Sequence, residues 1–139
     1  MVATSHDVMP DIELYQPTDE ANALALANTL GSDGWLLAGG QDTFGWLKDR
    51  NKATGAMIEL TQIDAWKGIR ETADGVEIGA VTTLTEIAKN PIIQERYGVL
   101  AQAAGVVASP QIRNVGTLGG NLILDGRCLY YRRCLVCYR

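Results

Sequence analysis

The spacing of apolar positions divides the chain into short alternating elements. Ile12-Glu13-Leu14-Tyr15 alternates apolar and polar and predicts a strand. Pro17-Thr18-Asp19-Glu20 then supplies a turn, an N-cap candidate and two acids suited to a positive helix end. Ala23, Leu26, Ala27 and Leu30 recur at helical spacing, with Gly31 as the stop. Trp35-Leu36-Leu37-Ala38 reads as a short buried strand broken by Gly39-Gly40. Residues 43–50 read as a short helix turning Phe44 and Leu47 inward, and Ala56 to Leu60 as the next strand. Two alternating runs flank Ala73-Asp74-Gly75, a strong hairpin signal. Thr83 and Glu86 stand at capping-box spacing, so a helix begins there, and Pro91 and Val99 to Val107 predict further Ala-rich helices.

This order, β-α-β-α-β followed by a hairpin and helices, predicts an α+β chain in two lobes joined near residues 61–66. The boundaries expected are 1–62 for a β-α-β lobe, 63–126 for a second α+β lobe and 127–139 for a Cys/Arg-rich tail. A chain of 139 residues with 47% hydrophobic and 20% charged positions is an ordinary globular composition. A chain of this size buries roughly 70% of its unfolded surface. No apolar run approaches the ~20 residues of a membrane span, and the first residues lack the basic and apolar regions of a secretory signal.

Charge sharpens the picture. The formal net charge is −4, yet Arg127, Arg132, Arg133 and Arg139 all fall after residue 126, where there is no acid. The preceding body is acidic, which disfavours a nucleic-acid partner. The four arginines read first as a solvated terminus, and Asp42 and Asp125 as turn caps. His6, the single histidine, lies near the N-terminus and is assigned no catalytic role. Trp35, Trp46 and Trp66 read as core or inter-lobe packing.

Two glycine clusters carry the candidate chemistry. One is Leu36-Leu37-Ala38-Gly39-Gly40-Gln41-Asp42-Thr43, between a strand and a helix; the other is Val115-Gly116-Thr117-Leu118-Gly119-Gly120-Asn121. Paired glycines open backbone conformations closed to other residues and let a ligand approach closely. Successive N–H groups can then converge on phosphate oxygens, helped by a following helix N-terminus. Neither cluster is a G-x-G-x-x-G or a P-loop, so residue spacing alone stops at a nucleotide site competing with ordinary turns.

The segments Leu-Ala-Gly-Gly-Gln-Asp-Thr at 37–43, Ile-Gly-Ala-Val-Thr-Thr at 78–83 and Gln-Ile-Arg-Asn-Val-Gly-Thr-Leu-Gly-Gly-Asn at 111–121 resemble the FAD-binding subunit of the molybdenum hydroxylases. The resemblance runs in order from about Ile12 to Asn121. It implies that fold, incomplete at the C-terminus, with FAD held by Leu36, Leu37, Ala38, Gly39, Gly40, Gln41, Asp42 and Thr43 from the first loop. Thr117, Leu118, Gly119, Gly120 and Asn121 would hold it from the second, with Val107 as a further contact. Arg113 belongs to the motif without an assigned contact. The function implied is electron transfer between iron–sulfur centres and an external carrier, in a cytoplasmic complex with a molybdenum-cofactor subunit and a [2Fe–2S] subunit. No general acid, base or nucleophile is expected in this chain.

Cys128, Cys134 and Cys137 crowd the last dozen residues, the latter two at C-x-x-C spacing. An odd count without a signal sequence disfavours a disulfide framework. Arg127-Cys128-Leu129-Tyr130-Tyr131 resembles the 4-hydroxybenzoyl-CoA reductase branch, whose inserted loop binds an extra [4Fe–4S] cluster, and Cys128 matches its first ligand. The remaining two cysteines fall one short of that loop's set and are more closely spaced. Tyr130 and Tyr131 could lie against flavin or cluster, or form a partner surface. Family members continue well beyond the second loop, which leaves a fragment, a truncated product or a fold completed by another chain. Two other readings stand beside the leading one: a non-catalytic remnant that serves assembly and binds no flavin, and a tail acting as a small zinc or cluster module.

Overall fold

The structure, a computed structural model, describes residues 8–132 and 135. Three parallel strands form the first sheet, in the order β1 (Glu13–Tyr15), β3 (Ala56–Glu59), β2 (Gly34–Leu37). Parallel neighbours need crossover connections. Here α1 (Glu20–Leu30) and α2 (Thr43–Lys48) supply them. Asp19 caps α1 by accepting the Asn22 N–H at 2.9 Å, and Gly31 ends it at φ +53°. The central strand is buried along Ala56, Met57 and Ile58, and Leu37, Leu47 and Met57 form a first hydrophobic cluster with Met9, Ile12 and Trp35 packed on it.

Two expectations are corrected here. On β2 only Leu37 is buried, whereas Leu36 is half exposed, because β2 is an edge strand whose alternate side chains leave the core. On α2 it is Trp46 with Leu47 that turns inward, at 4% and 0% exposure, while Phe44 stays 44% exposed. The helix also stops at Lys48, short of the expected Arg50, which adopts φ +58°.

A buried Ile63 and a one-turn 3-10 helix at Asp64–Trp66 lead into the second, two-stranded sheet. Its hairpin pairs β4 (Ile69–Thr72) with β5 (Gly75–Ile78), Thr72 opposite Gly75, so that Ala73-Asp74 make the turn and Gly75 opens the second strand rather than sitting in the loop. Helices α3 (Leu84–Lys89), α4 (Pro91–Arg96), α5 (Gly98–Val106), α6 (Pro110–Arg113) and α7 (Leu118–Leu122) follow. The Thr83–Glu86 capping box is formed, with both reciprocal bonds present. Leu84, Ile87, Ile93 and Ala104 make a second cluster, against which Ile69, Val76, Ile78, Leu100 and Leu118 pack. A last turn, α8 (Leu129–Arg132), ends the described helices. No helix among the described residues is long and apolar enough to cross a membrane.

Candidate functional site

The first glycine cluster leaves the carboxyl end of β2, the edge of a parallel sheet where open α/β folds place ligands. Gly40 takes φ +68°, a conformation that costs a side-chain-bearing residue, and the chain then turns into α2. Gly39 has a different reason to lack a side chain. A Cβ there would stand 2.2 Å from the Val115 carbonyl oxygen and 3.0 Å from the Gly116 Cα. The two glycine clusters, far apart in sequence, thus touch backbone to backbone.

The second cluster is fixed by the turn after β5. Leu84 N–H donates to Gly116 O at 2.9 Å and Leu118 N–H to Thr82 O at 2.9 Å, an antiparallel bridge between Thr83 and Thr117. Gly119 N–H donates to Ala80 O at 2.8 Å, and a Cβ on Gly119 would come within 2.9 Å of that oxygen. Thr117, 3% exposed, caps α7 through its hydroxyl, which accepts the Gly120 N–H at 3.2 Å. Asn121 donates its N–H and its Nδ2 to Thr117 O. The backbone donors of Leu118, Gly119, Gly120 and Asn121 are therefore all spent inside the protein.

The first cluster is the reverse. Among the described residues, the backbone N–H groups of Gly39, Gly40, Gln41, Asp42 and Thr43 donate to no protein acceptor, and none of the five residues is fully buried. Asp42 and Thr43 open α2, where the first N–H groups of a helix have no partner within it. A run of them at a strand end is the donor set that diphosphate oxygens require. Unspent N–H donors of this kind fit the oxygens of a nucleotide diphosphate, and the second loop stands against Gly39.

The side chains have other duties. Gln41 Nε2 reaches back to Gly39 O at 3.0 Å, and Thr43 Oγ1 accepts from the Trp35 indole at 3.2 Å. Asp42 makes no cap bond to α2, contrary to expectation; Arg132 Nη2 takes its carboxylate at 2.8 Å and Arg127 at 3.4 Å. Val107 lies against the second hydrophobic cluster with Leu118, and Arg113 Nη1 donates to its carbonyl at 2.9 Å and to that of Ala108 at 3.3 Å. Ala108 is held there at φ +43°. Leu36 sits half exposed and Leu37 in the first hydrophobic cluster, just before the loop.

Of the four tail arginines, Arg127 and Arg132 are engaged rather than simply solvated, and Arg133 and Arg139 lie outside the described residues. Arg132 lies over the Trp46 ring at 4.3 Å from its centroid, and Tyr131 meets the same ring edge-on at 5.7 Å. The Tyr131 hydroxyl donates to Asp125 Oδ2 at 2.8 Å, and Lys52 Nζ bridges to Tyr131 at 3.0 Å and to Asp125 at 3.2 Å. The Tyr131 hydroxyl first, then the Gly126 N–H and Lys52, hold the Asp125 carboxyl down to about 2. The Tyr131 contact, with Asp125 behind it, raises Lys52. Asp125 also caps its own turn through Gly126, as expected. Nothing in composition or spacing singled out Lys52 or Arg132, or the carbonyls of Ala80 and Thr82 that anchor the second loop. Only the resemblance of segment 78–83 touched the latter pair.

Cys128 is exposed just ahead of α8, while Cys134, Cys137 and His6 lie outside the described residues. Among the described residues, no three His, Cys, Asp or Glu side chains are gathered for a metal ion. An open groove of about 450 Å³ runs between the end of β1 and α1, lined by Tyr15, Pro17, Asn22 and Leu26, and includes none of the glycine-loop residues.

Known proteins share this sequence pattern and fold. Residues 10–128 match the family described as the FAD binding domain in molybdopterin dehydrogenase. The carbon monoxide dehydrogenase medium chain of Hydrogenophaga pseudoflava is 39% identical over 115 residues, covering 83% of this chain and 40% of that protein. The nicotinate dehydrogenase FAD-subunit of Eubacterium barkeri is 34% identical over 115 residues, 82% of this chain and 39% of that one. The solved Hydrogenophaga pseudoflava carbon monoxide dehydrogenase lacking the Mo-pyranopterin moiety of its cofactor superposes with a TM-score of 0.80 at 39% identity, over 83% of this chain and 40% of that chain. The chain thus spans about 40% of the length of such relatives. With its two glycine loops in contact and the match running through both, the chain belongs to the family of FAD-binding domains of molybdopterin dehydrogenases.

Proposed function

We propose that this chain is the diphosphate-gripping part of an FAD-binding electron-transfer subunit of a molybdenum-containing hydroxylase or reductase. Residues 1–62 bring the donor loop, 63–126 the segment that closes on it, and the tail 127–139 reaches the first segment through Arg127, Tyr131 and Arg132. The observation that carries the reading is the contact of Gly39 with Val115–Gly116, beside a run of unspent N–H donors. Gly39 to Thr43 bind the diphosphate; Thr117 and Asn121 brace the opposing loop; Leu36, Leu37, Ala38, Leu118, Gly119, Gly120 and Val107 shape the remaining contacts. The flavin, when bound, supplies a centre that exchanges electrons with both one- and two-electron partners. The chain's own share is to bind and orient it.

The partners that the family relationship supports are a molybdenum-cofactor subunit and a [2Fe–2S] subunit of one cytoplasmic complex. The 4-hydroxybenzoyl-CoA reductase branch rests on Arg127-Cys128-Leu129-Tyr130-Tyr131 alone. Cys128, Cys134 and Cys137 are the ligands a tail cluster would use, and iron and acid-labile sulfide analysis of anaerobically prepared protein tests them. For the flavin, titration with FAD followed by flavin fluorescence and thermal unfolding tests the reading. Saturable binding with stabilisation of about 4 kcal/mol at ~1,000 times the dissociation constant is expected. No uptake and no shift would favour the flavin-free assembly role instead.

A further inference from the structure

Asp42 poses an electrostatic problem for the proposed site. It lies on the donor loop itself, so its carboxylate would repel any anion held by the neighbouring N–H groups. The tail supplies the counter-charge. Arg132, ninety residues away, places Nη2 2.8 Å from Asp42 Oδ1, and both side chains are more than three-quarters buried. Arg127 approaches the same oxygen at 3.4 Å from a largely exposed position. Partly buried pairs of this kind are screened less than surface ones. Two cations on one carboxylate leave the loop with net positive rather than negative charge.

Arg132 is delivered there by a local clamp. Its guanidinium covers Trp46, Tyr131 meets Trp46 edge-on, and the Tyr131 hydroxyl is tied to Asp125 and Lys52. Trp46 belongs to α2, the helix that the donor loop enters. Residues 125–132 thus form a strap whose two ends are fixed to the first lobe.

Resting on the FAD reading above, we propose that this strap is a charge-compensating element of the site. Arg132 is its positioning residue: it neutralises Asp42 so that the Gly39–Thr43 donors accept a nucleotide diphosphate. A purely structural strap would stabilise the fold without discriminating ligands by their phosphate.

The experiment compares FAD with riboflavin, which lacks the diphosphate, on the wild type, Arg132→Gln, Asp42→Asn and the double variant. Arg132→Gln should weaken FAD binding about tenfold, the equivalent of ~1.4 kcal/mol, and leave riboflavin binding unchanged. The double variant, with both charges gone, should return to within about threefold of wild type. Arg132→Met, which keeps an apolar chain over Trp46, gives the same comparison should the glutamine variant not fold. Unchanged FAD binding in Arg132→Gln, equal losses for FAD and riboflavin, or a double variant as weak as the single would overturn the proposal. If the wild type takes up no FAD, the FAD reading itself fails, and the strap is judged by inorganic pyrophosphate followed through the Gly39–Thr43 amide resonances. The same order of variants is expected there, and no pyrophosphate binding to the wild type would overturn it.

Discussion

Gly39 and Val115 are in backbone contact, so close that a methyl group on the first would sit 2.2 Å from the carbonyl oxygen of the second. This junction brings the two glycine clusters together where the chain leaves β2, and it makes residue 39 a position where size matters more than conformation.

Gly39→Ala should therefore destabilise the protein by roughly 1–3 kcal/mol, the range for overpacking, measured as a lower urea midpoint. Gly45 is the control. It sits inside α2 with an ordinary φ, and a methyl group added there would meet nothing within 4 Å. Gly45→Ala should stabilise by about 0.5–1 kcal/mol. Equal effects from both substitutions would contradict the contact.

Thr82 is 1% exposed, and its hydroxyl accepts the Gly68 N–H at 2.9 Å and donates to the Gly68 carbonyl at 3.1 Å. Valine fills the same space without those bonds. Thr82→Val should cost about 1–3 kcal/mol by leaving the Gly68 N–H without its acceptor, while the Gly68 carbonyl keeps the Gly79 N–H at 2.9 Å. Because Thr82 O also anchors Leu118, the second loop should loosen too, read as faster amide exchange at Leu118 and Gly119. Unchanged stability and exchange would exclude Thr82 from that bracing role.

The positions of the strands, the Thr83 capping box and the hairpin were legible because each depends on neighbours within a few residues. The side of a short element that faces inward was not. Phe44 and Trp46 lie two residues apart on a six-residue helix, and only the tertiary position of β2 and the tail decides that Trp46 is covered. The two glycine clusters were recognisable as loops. Their contact was not, since no local pattern encodes that a carbonyl at 115 abuts the backbone at 39. The unequal distribution of donors was equally hidden: it follows from Ala80 and Thr82 offering carbonyls to one loop while the other meets none. Arg132 looked like one of four terminal charges because its partner, Asp42, lies ninety positions earlier.

The Asp125 clamp gives a pH dependence of defined sign. Its folded carboxyl, held to about 2, lies below the unfolded value of about 3.9. Its contribution is therefore fully present above about pH 4 and lost as pH falls through about 2. Lys52 is shifted up, so its contribution is present below the ordinary lysine value and lost as pH rises through the folded one. The Trp46 indole N–H resonance should hold steady between these limits and move below about pH 4. Tyr131→Phe removes the main cause of the Asp125 shift and should carry the acid transition upward in pH. A transition unmoved by that substitution would show that the clamp does not govern the tail.

Whether the first loop grips a diphosphate is read most directly from the backbone amides during titration with FAD and, separately, with riboflavin. FAD should shift the Gly39 to Thr43 resonances strongly. Gly119 to Asn121 should move less, because their N–H groups are already spent, and riboflavin should leave the Gly39–Thr43 signals in place. Equal shifts from both flavins at that loop, or a response to FAD confined to residues elsewhere, would contradict the grip.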